Sequence, residues 1–598
     1  MQKNRYLYFD WSIFHKYSIK VYLCGHTKRY LWKALRKFGM MITGKENRKR
    51  VEHMEERRTL PIGKDDFRKL RESNAYYVDK TLMIQEFLEM KDEVALVARP
   101  RRFGKTLNMT MLREFFDITK DSRELFEGLA IMDTEYADQI NSRPVIFFTF
   151  KNCKGATVEE LTMQLKLAMQ EEYRYYEEIF HDKLDQDTFG AKIFYETYES
   201  LMNQEKSFIY LSGAILDLTR VVYEYYNIRP ILLIDEYDQP VMSSYEYGYH
   251  DQLSPFFSNL YGSAMKGNPS LDQALITGIQ RVVNESIFSG FNNLLVYTVI
   301  DKTYAPYFGL NENETRTLLE AYGVEFNDEV CAMYGGYRVD GNEMYNPWSV
   351  INYAKKGRLE NYWVKTSANF LVKSALREAD RSFWKVFEEL IEGREKLVYI
   401  TLDTSFAERA SSYSMWGLLV NAGYLTVTEW VDAETSIVRI PNGEVMSEFQ
   451  TLIAEMSGIE RLDLQQMFAC LMNKDMEGFL RLYREIVITC TSYMDAKENA
   501  YHMLFLGMCI TLRGSYKVTS NLEAGYGRSD ITLQALLPKN LSVIIEFKQG
   551  ENIEKLREDA LQQILDNQYY TGLSGEVLCV GVAHDKKRCD IAHQIINV

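Results

Sequence analysis

The sequence predicts an α/β protein: a parallel sheet with helices on both faces, a mostly helical middle region, and a small separate α/β domain at the C-terminus. Three observations lead there. From about residue 60, apolar strand-like runs alternate with helical patterns. Residues 311–400 then read as helices, broken by the turn-rich segment "MYGGYRVDGNEMYNPWS" (333–349). After residue 512 come three apolar strands, a helix and a further strand, enough for a core of its own.

The strand runs are Val94–Ala98, Val145–Phe150, Ile231–Ile234, Ala274–Thr277 and Leu294–Ile300, with amphipathic stretches at 156–180 and 208–226 between them. Continuous apolar runs of this length suit strands buried on both faces. Residues 413–440 read as a helix, a Gly stop and a β-hairpin, which fits either a winged-helix module or an ordinary helix–hairpin element. Helices return over 455–512. A chain of 598 residues is too long for one hydrophobic core. The expected divisions are a basic extension (1–53), a nucleotide domain (54–310), a helical lid with the possible winged helix (311–450), a helical connector (451–489) and the C-terminal domain (490–598). No Pro/Gly linker marks the last boundary.

Composition excludes several classes. Hydrophobic content of 46% and charged content of 26% are ordinary for a globular chain. The eight cysteines include no CxxC pair and the histidines do not cluster, which argues against a structural zinc site or a disulfide framework. Reduced thiols suit a cytoplasmic protein. No apolar run is long enough for a transmembrane helix, so no membrane is expected as a partner. The net charge of −14 counts against an extended nucleic-acid surface and leaves a local one open. Residues 1–50 differ, with 13 Lys/Arg against 2 Asp/Glu. They could form a nucleic-acid or membrane-surface arm, or translation could begin at Met54. No function is assigned to them.

The segment "EVALVARPRRFGKTLNMTML" (93–112) is a strand, a loop and a helix. Its residues Arg102, Phe103, Gly104, Lys105 and Thr106 are expected to bind a nucleotide. Backbone N–H groups would face the phosphates, Gly104 would permit close approach, Lys105 would reach the terminal phosphates, and Thr106 would hold Mg²⁺. The usual first glycine of G-x-x-x-x-G-K-[ST] is Arg99 here, and "RPRR" is expected to surround the loop with positive charge. A second motif, "IRPILLIDEYDQP" (228–240), ends an apolar run in Asp235 and Glu236. A parallel strand delivers such carboxylates to the sheet edge where ligands bind. Asp235 would hold Mg²⁺ and Glu236 would act on the attacking water. The bland alternative is an acidic pair in a solvated turn. On the following strand Thr277 is a candidate γ-phosphate sensor, while Arg281 reads either as a phosphate contact or as a surface arginine.

Near the C-terminus, "GRSDITL" puts Asp530 at a strand start, and "VIIEFKQG" puts Glu546 and Lys548 two apart on the next strand. Residues i and i+2 share a strand face, so Asp530, Glu546 and Lys548 can converge. Two carboxylates for Mg²⁺ and a lysine beside the water fit phosphodiester hydrolysis. Gln563 and Tyr569 follow on the next helix. Glu498 is either an extra ligand or an exposed helical glutamate.

Taken together, "LPIGKDDFRKLRESNAYYVDKT", "ARPRRFGKTLNMTML", "LLIDEYDQP", "ITGIQRVVNESIFSGFNN" and "YNPWSVINY" resemble the AAA-ATPase-like family of bacterial proteins, whose members typically carry a C-terminal PD-(D/E)XK nuclease-like domain. The resemblance covers roughly residues 58–590, and "RPRRFGK" without the first glycine is part of that family's pattern. It implies ATP binding by Lys105 and Thr106, with Asp235 and Glu236 as the Mg²⁺ and water partners. The functional expectation is a P-loop ATPase coupled to a Mg²⁺-dependent nuclease acting on nucleic acid, DNA or RNA. The alternative is an ATP-dependent switch whose nuclease-like domain binds nucleic acid or protein without cutting.

Overall fold

The computed structural model describes residues 58–598, apart from 182, 186, 204–207, 281–292, 364–371, 374–375, 378, 401–411, 433, 457–460, 491–497, 513–514 and 538. The basic extension 1–53 and Arg281 lie outside the described residues. The fold described below is that of the unit Thr59–Val598.

Strands β1 (Val94–Ala98), β2 (Val145–Thr149), β3 (Ile231–Asp235), β4 (Ala274–Gly278) and β5 (Leu294–Tyr297) form one sheet in the order β2-β3-β4-β1-β5. Every neighbouring pair is parallel. β1, β3 and β4 are buried at every position, which is why their sequences run apolar without alternation. Because β4 lies between β1 and β3, the loop after β1 and the carboxylates after β3 flank the end of β4. β2 is an edge strand, and its Phe147 N–H donates to Glu172 on the helix Val158–Phe180, which satisfies an otherwise open edge group.

The middle region begins with the helix Glu312–Ala321, closed by a capping box in which Asn311 and Glu314 bond each other's backbone. A short hairpin follows, β6 (Tyr337–Val339) and β7 (Asn342–Met344). Asn346 then caps the helix Pro347–Lys356 by accepting from the Trp348 and Ser349 N–H groups. Strands β8 (Lys396–Tyr399), β9 (Thr426–Trp430) and β10 (Thr435–Arg439) make an antiparallel sheet in the order β8-β10-β9. The helix Ser412–Asn421 precedes β9, and Met415, Trp416 and Leu419 on it are buried. The helix Gly443–Met456 packs against Glu498–Met508, so the middle region touches the first helix of the C-terminal fold.

In that C-terminal fold, β11 (Tyr516–Ala524), β12 (Gly527–Ala535), β13 (Ser542–Gln549), β14 (Glu576–Asp585) and β15 (Arg588–Asn597) lie in sequence order. Only β13 and β14 run parallel, and the helix Ile553–Asp566 makes the crossover that such a pair requires. Alternation on β13 feeds two cores. Ile544 joins Leu561 and Ile564 under the crossover helix, and Phe547 meets Phe505 of Glu498–Met508 on the other face at 5.7 Å between rings. Asp530 falls inside β12 rather than at its start, because the hairpin turn is completed at Gly525–Tyr526. Cys153, Cys509, Cys579 and Cys589 are buried and form no disulfide. Among the described residues no helix is long and apolar enough to cross a membrane.

Candidate functional site

The loop after β1 ends at Gly104, whose φ of +90° is a left-handed conformation that glycine adopts without a steric penalty. The helix Lys105–Phe116 starts on the next residue, so its first N–H groups point into the loop. A Cβ built on Gly104 meets no atom within 4 Å, so a ligand can reach the backbone there. Lys105 is buried, and its Nζ donates to the carbonyls of Arg99 and Pro100, each at 3.0 Å. Burial pulls the Lys105 pKa down. Arg102 also has a positive φ of 67°, uncommon for a residue with a side chain.

The positive charge of "RPRR" is not all directed at the loop, contrary to the expectation from sequence. Arg99 is completely buried and turns toward β5. Its Nη1 donates to the carbonyls of Ala98 and Tyr297, both at 2.9 Å, and its guanidinium lies 5.4 Å from the Phe308 ring centre. Burial lowers its pKa to about 10. The position occupied elsewhere by a glycine is thus an internal strut between β1 and β5. Arg102 stacks over Trp348 at 4.6 Å. The Phe103 ring is turned into the middle region, edge-on to Tyr337 at 5.0 Å, and the Phe103 carbonyl accepts from Gly309 N–H at 3.1 Å. Of Phe103, only the backbone is left to face a ligand.

At the end of β3, Asp235 is buried among three hydroxyls. Thr106 donates to its Oδ2 at 2.8 Å, Thr277 to its Oδ1 at 2.9 Å, and Thr149 to Oδ2 at 3.3 Å. Burial, with the Glu236 charge adding to it, pushes Asp235 up to about 6. The Thr277 hydroxyl is therefore committed to Asp235 in this arrangement. Glu236 is half-buried and held at φ +52°, a strained conformation of the kind that concentrates at functional sites. Asp238 is a further carboxylate here that no sequence motif singles out. It is buried, and its Oδ2 accepts from the N–H groups of Ile279 (2.8 Å) and Gln280 (2.9 Å), so it fixes the exit from β4. Only the acidic spelling "DEYD" could have hinted at it. One hydroxyl and one carboxylate are a fit for Mg²⁺, which commonly takes one or two protein oxygens and completes its shell with phosphate and water.

In the C-terminal fold the register places Asp530 beside Glu546. The Asp530 N–H donates to Glu546 Oε2 at 3.3 Å, and the Phe547 N–H donates to Asp530 Oδ2 at 2.7 Å. Glu546 is buried, and Lys548 Nζ lies 3.8 Å from its Oε1. Burial raises the Asp530 pKa. Gln563 also donates to Glu546 Oε1, and Gln563 and Asn567 both donate to the Tyr569 hydroxyl at 3.2 Å. Behind the strands, His502 lies 3.1 Å from the Asp530 carbonyl and 3.0 Å from Ser520 Oγ, a support that nothing in the sequence signalled. The Glu498 side chain lies outside the described residues. Among the described residues no group of three or more His, Cys, Asp or Glu side chains forms a metal cage. Two carboxylates with an adjacent lysine still fit a divalent ion that shares its shell with a substrate phosphate.

Over 529 residues the chain is 26% identical to an uncharacterized protein in the vnfD 5′ region of Azotobacter chroococcum mcd 1, covering 86% of this chain and 93% of that one. Residues 61–288 match the family described as predicted AAA-ATPase, and residues 496–594 match the PD-(D/E)XK nuclease superfamily.

Proposed function

We propose that this chain is an ATPase coupled to a Mg²⁺-dependent nuclease. The single observation that carries the nucleotide half is the hydrogen bond between Thr106 and Asp235, which joins the two motifs at one sheet edge. In this reading Gly104 and the backbone of Arg102 and Phe103 cradle the phosphates, and Lys105 leaves its two carbonyls to bind the terminal ones. Thr106 and Asp235 hold Mg²⁺, and Glu236 accepts a proton from the attacking water. In the C-terminal domain Asp530 and Glu546 hold the second metal site, and Lys548 orients the water or stabilises the phosphate. Bound Mg²⁺ supplies neutralisation of the charge that develops on phosphate oxygens. The substrate is nucleic acid, DNA or RNA.

Coupling is supported by the contacts of the middle region. It reaches the phosphate loop through Phe103–Tyr337 and Arg102–Trp348, and it reaches the nuclease-like domain through the helix Gly443–Met456. The order helix Arg381–Ile391, strand β8, helix Ser412–Asn421 and β9–β10 hairpin is compatible with a winged helix. The buried side chains of Ser412–Asn421 favour a docking role for that module over base reading.

A second reading, a nucleotide-dependent switch that binds without cutting, is favoured by one observation: Asp530 Oδ2 already accepts the Phe547 N–H. Cleavage assays on plasmid and on single-stranded DNA and RNA decide between the two. With Mg²⁺ and ATP the wild type is expected to cut and Glu546→Ala to be inactive. ATP hydrolysis without any cleavage would move the assignment to the switch.

A further inference from the structure

We infer that Tyr526 is a stacking platform for an unpaired base of the strand brought to Asp530 and Glu546, which makes single-stranded or locally opened nucleic acid the substrate class. The inference rests on the nuclease reading above and deepens it. Tyr526 is the most exposed of the large hydrophobic side chains among the described residues, at 80%. It sits at the tip of the β11–β12 hairpin, in "AGYGR", with a glycine on either side. Those neighbours add no side chain beside the ring.

An exposed ring at a hairpin tip would ordinarily be mobile, but this tip is fastened. The Tyr526 N–H donates to the Asn567 carbonyl at 2.8 Å. Gly525, at φ +56°, lies so close to the 567–568 backbone that an added Cβ would stand 2.1 Å from the Asn567 oxygen. Gly527 packs on the Tyr569 ring, where a Cβ would come within 3.1 Å. Tyr569 accepts from Gln563, and Gln563 donates to Glu546. The backbone of Tyr526 and the Glu546 carboxylate are therefore tied to the same stretch of chain, Gln563 to Tyr569. Tyr526 and Asp530 are four positions apart, about 13 Å at the usual rise of a strand. Successive nucleotides of an extended strand bound at the carboxylates would pass the ring at that distance.

Charge favours this kind of contact. The chain carries 84 Asp/Glu against 70 Lys/Arg, and base–aromatic stacking adds affinity without a cation. Every base has a π-face, so recognition would be tolerant of sequence. A paired base has both faces covered and could not use the ring.

The test uses the full chain with Ca²⁺ in place of Mg²⁺ and fluorescently labelled oligonucleotides, read by anisotropy. Tyr526→Ala is expected to weaken binding of single-stranded DNA or RNA by about tenfold. Tyr526→Phe is expected to bind as the wild type does, and Tyr526→Leu to bind like the alanine variant, because leucine keeps apolar area without a π-face. Duplex affinity should not change. Photo-cross-linking with 5-iodouracil in the single strand should label Tyr526. If the wild type binds and cuts single strands through Glu546 while Tyr526→Ala or Tyr526→Leu matches it, the platform is wrong and the nuclease reading stands. Equal losses on single strand and duplex would also overturn it. If the wild type neither binds nor cuts any nucleic acid with Mg²⁺ or Mn²⁺, both fall together.

Discussion

The hydroxyl of Thr106 donates to the carboxylate of Asp235 over 2.8 Å, joining residues 129 positions apart. The contact exists because β4 carries Thr277 into the space between β1 and β3 and bonds the other oxygen of the same carboxylate at 2.9 Å. A buried carboxylate would be costly with no donors, and here each oxygen has at least one.

Binding and hydrolysis should separate at this edge. Lys105→Ala is expected to weaken ATP binding, because the loop loses its only buried ammonium. Glu236→Gln should still bind ATP while its turnover drops by about 100- to 10,000-fold, the range for loss of a general base. Isothermal titration and steady-state phosphate release measure the two effects. Equal loss of binding in both variants would contradict the separate roles.

Restoring the missing glycine should harm the protein. Arg99→Gly removes a buried guanidinium and leaves the Ala98 and Tyr297 carbonyls without its donors. Hydrogen bonds to a charged group are worth about 1.5–3 kcal/mol each, so a loss of about 3 kcal/mol or more is expected in chemical denaturation. A variant as stable as the wild type, with faster ATP hydrolysis, would show that Arg99 is merely a poor substitute for glycine.

Gly278 at the end of β4 has no room for a methyl group. A Cβ there would stand 2.6 Å from the Tyr237 ring and 3.0 Å from the Asp238 carboxyl carbon. Gly278→Ala is expected to cost about 1–3 kcal/mol through overpacking and to displace the turn that carries Glu236, which lowers ATP hydrolysis as well. Thermal denaturation and an ATPase assay on one preparation test both parts.

The C-terminal fold should weaken in acid. His584 is buried, stacked on Tyr501 with ring centres 3.8 Å apart, and its Nε2 lies 3.0 Å from the Tyr483 hydroxyl. Burial lowers its pKa from 6.5 to about 3. The unfolded chain therefore takes up a proton first as pH falls. Stability from this group is complete above pH 6.5 and is lost progressively as pH falls from there toward 3, by up to about 5 kcal/mol. His584→Phe should flatten that slope in urea titrations repeated across the window. An unchanged slope would assign the acid sensitivity to other groups.

The sequence by itself pointed to the sheet type, since apolar runs alternating with helical patterns favour a parallel sheet, and three of the five runs, β1, β3 and β4, are buried at every position. It also marked the candidate site residues at short spacing: Lys105 next to Thr106, Asp235 next to Glu236, and Glu546 two before Lys548. Those signals are local, because the phosphate loop, the strand end and the period of two are each set by a few consecutive residues. The tertiary structure alone decided the contacts that depend on strand order. These include Thr277 and Thr149 on Asp235, Asp238 on the exit from β4, and His502 behind Asp530. It also decided direction: Arg99 looks like loop charge in the sequence, yet it points into the core because β5 presents a carbonyl at the distance its side chain reaches. Partners far apart in sequence are brought together by strand order and packing, and no short motif records them.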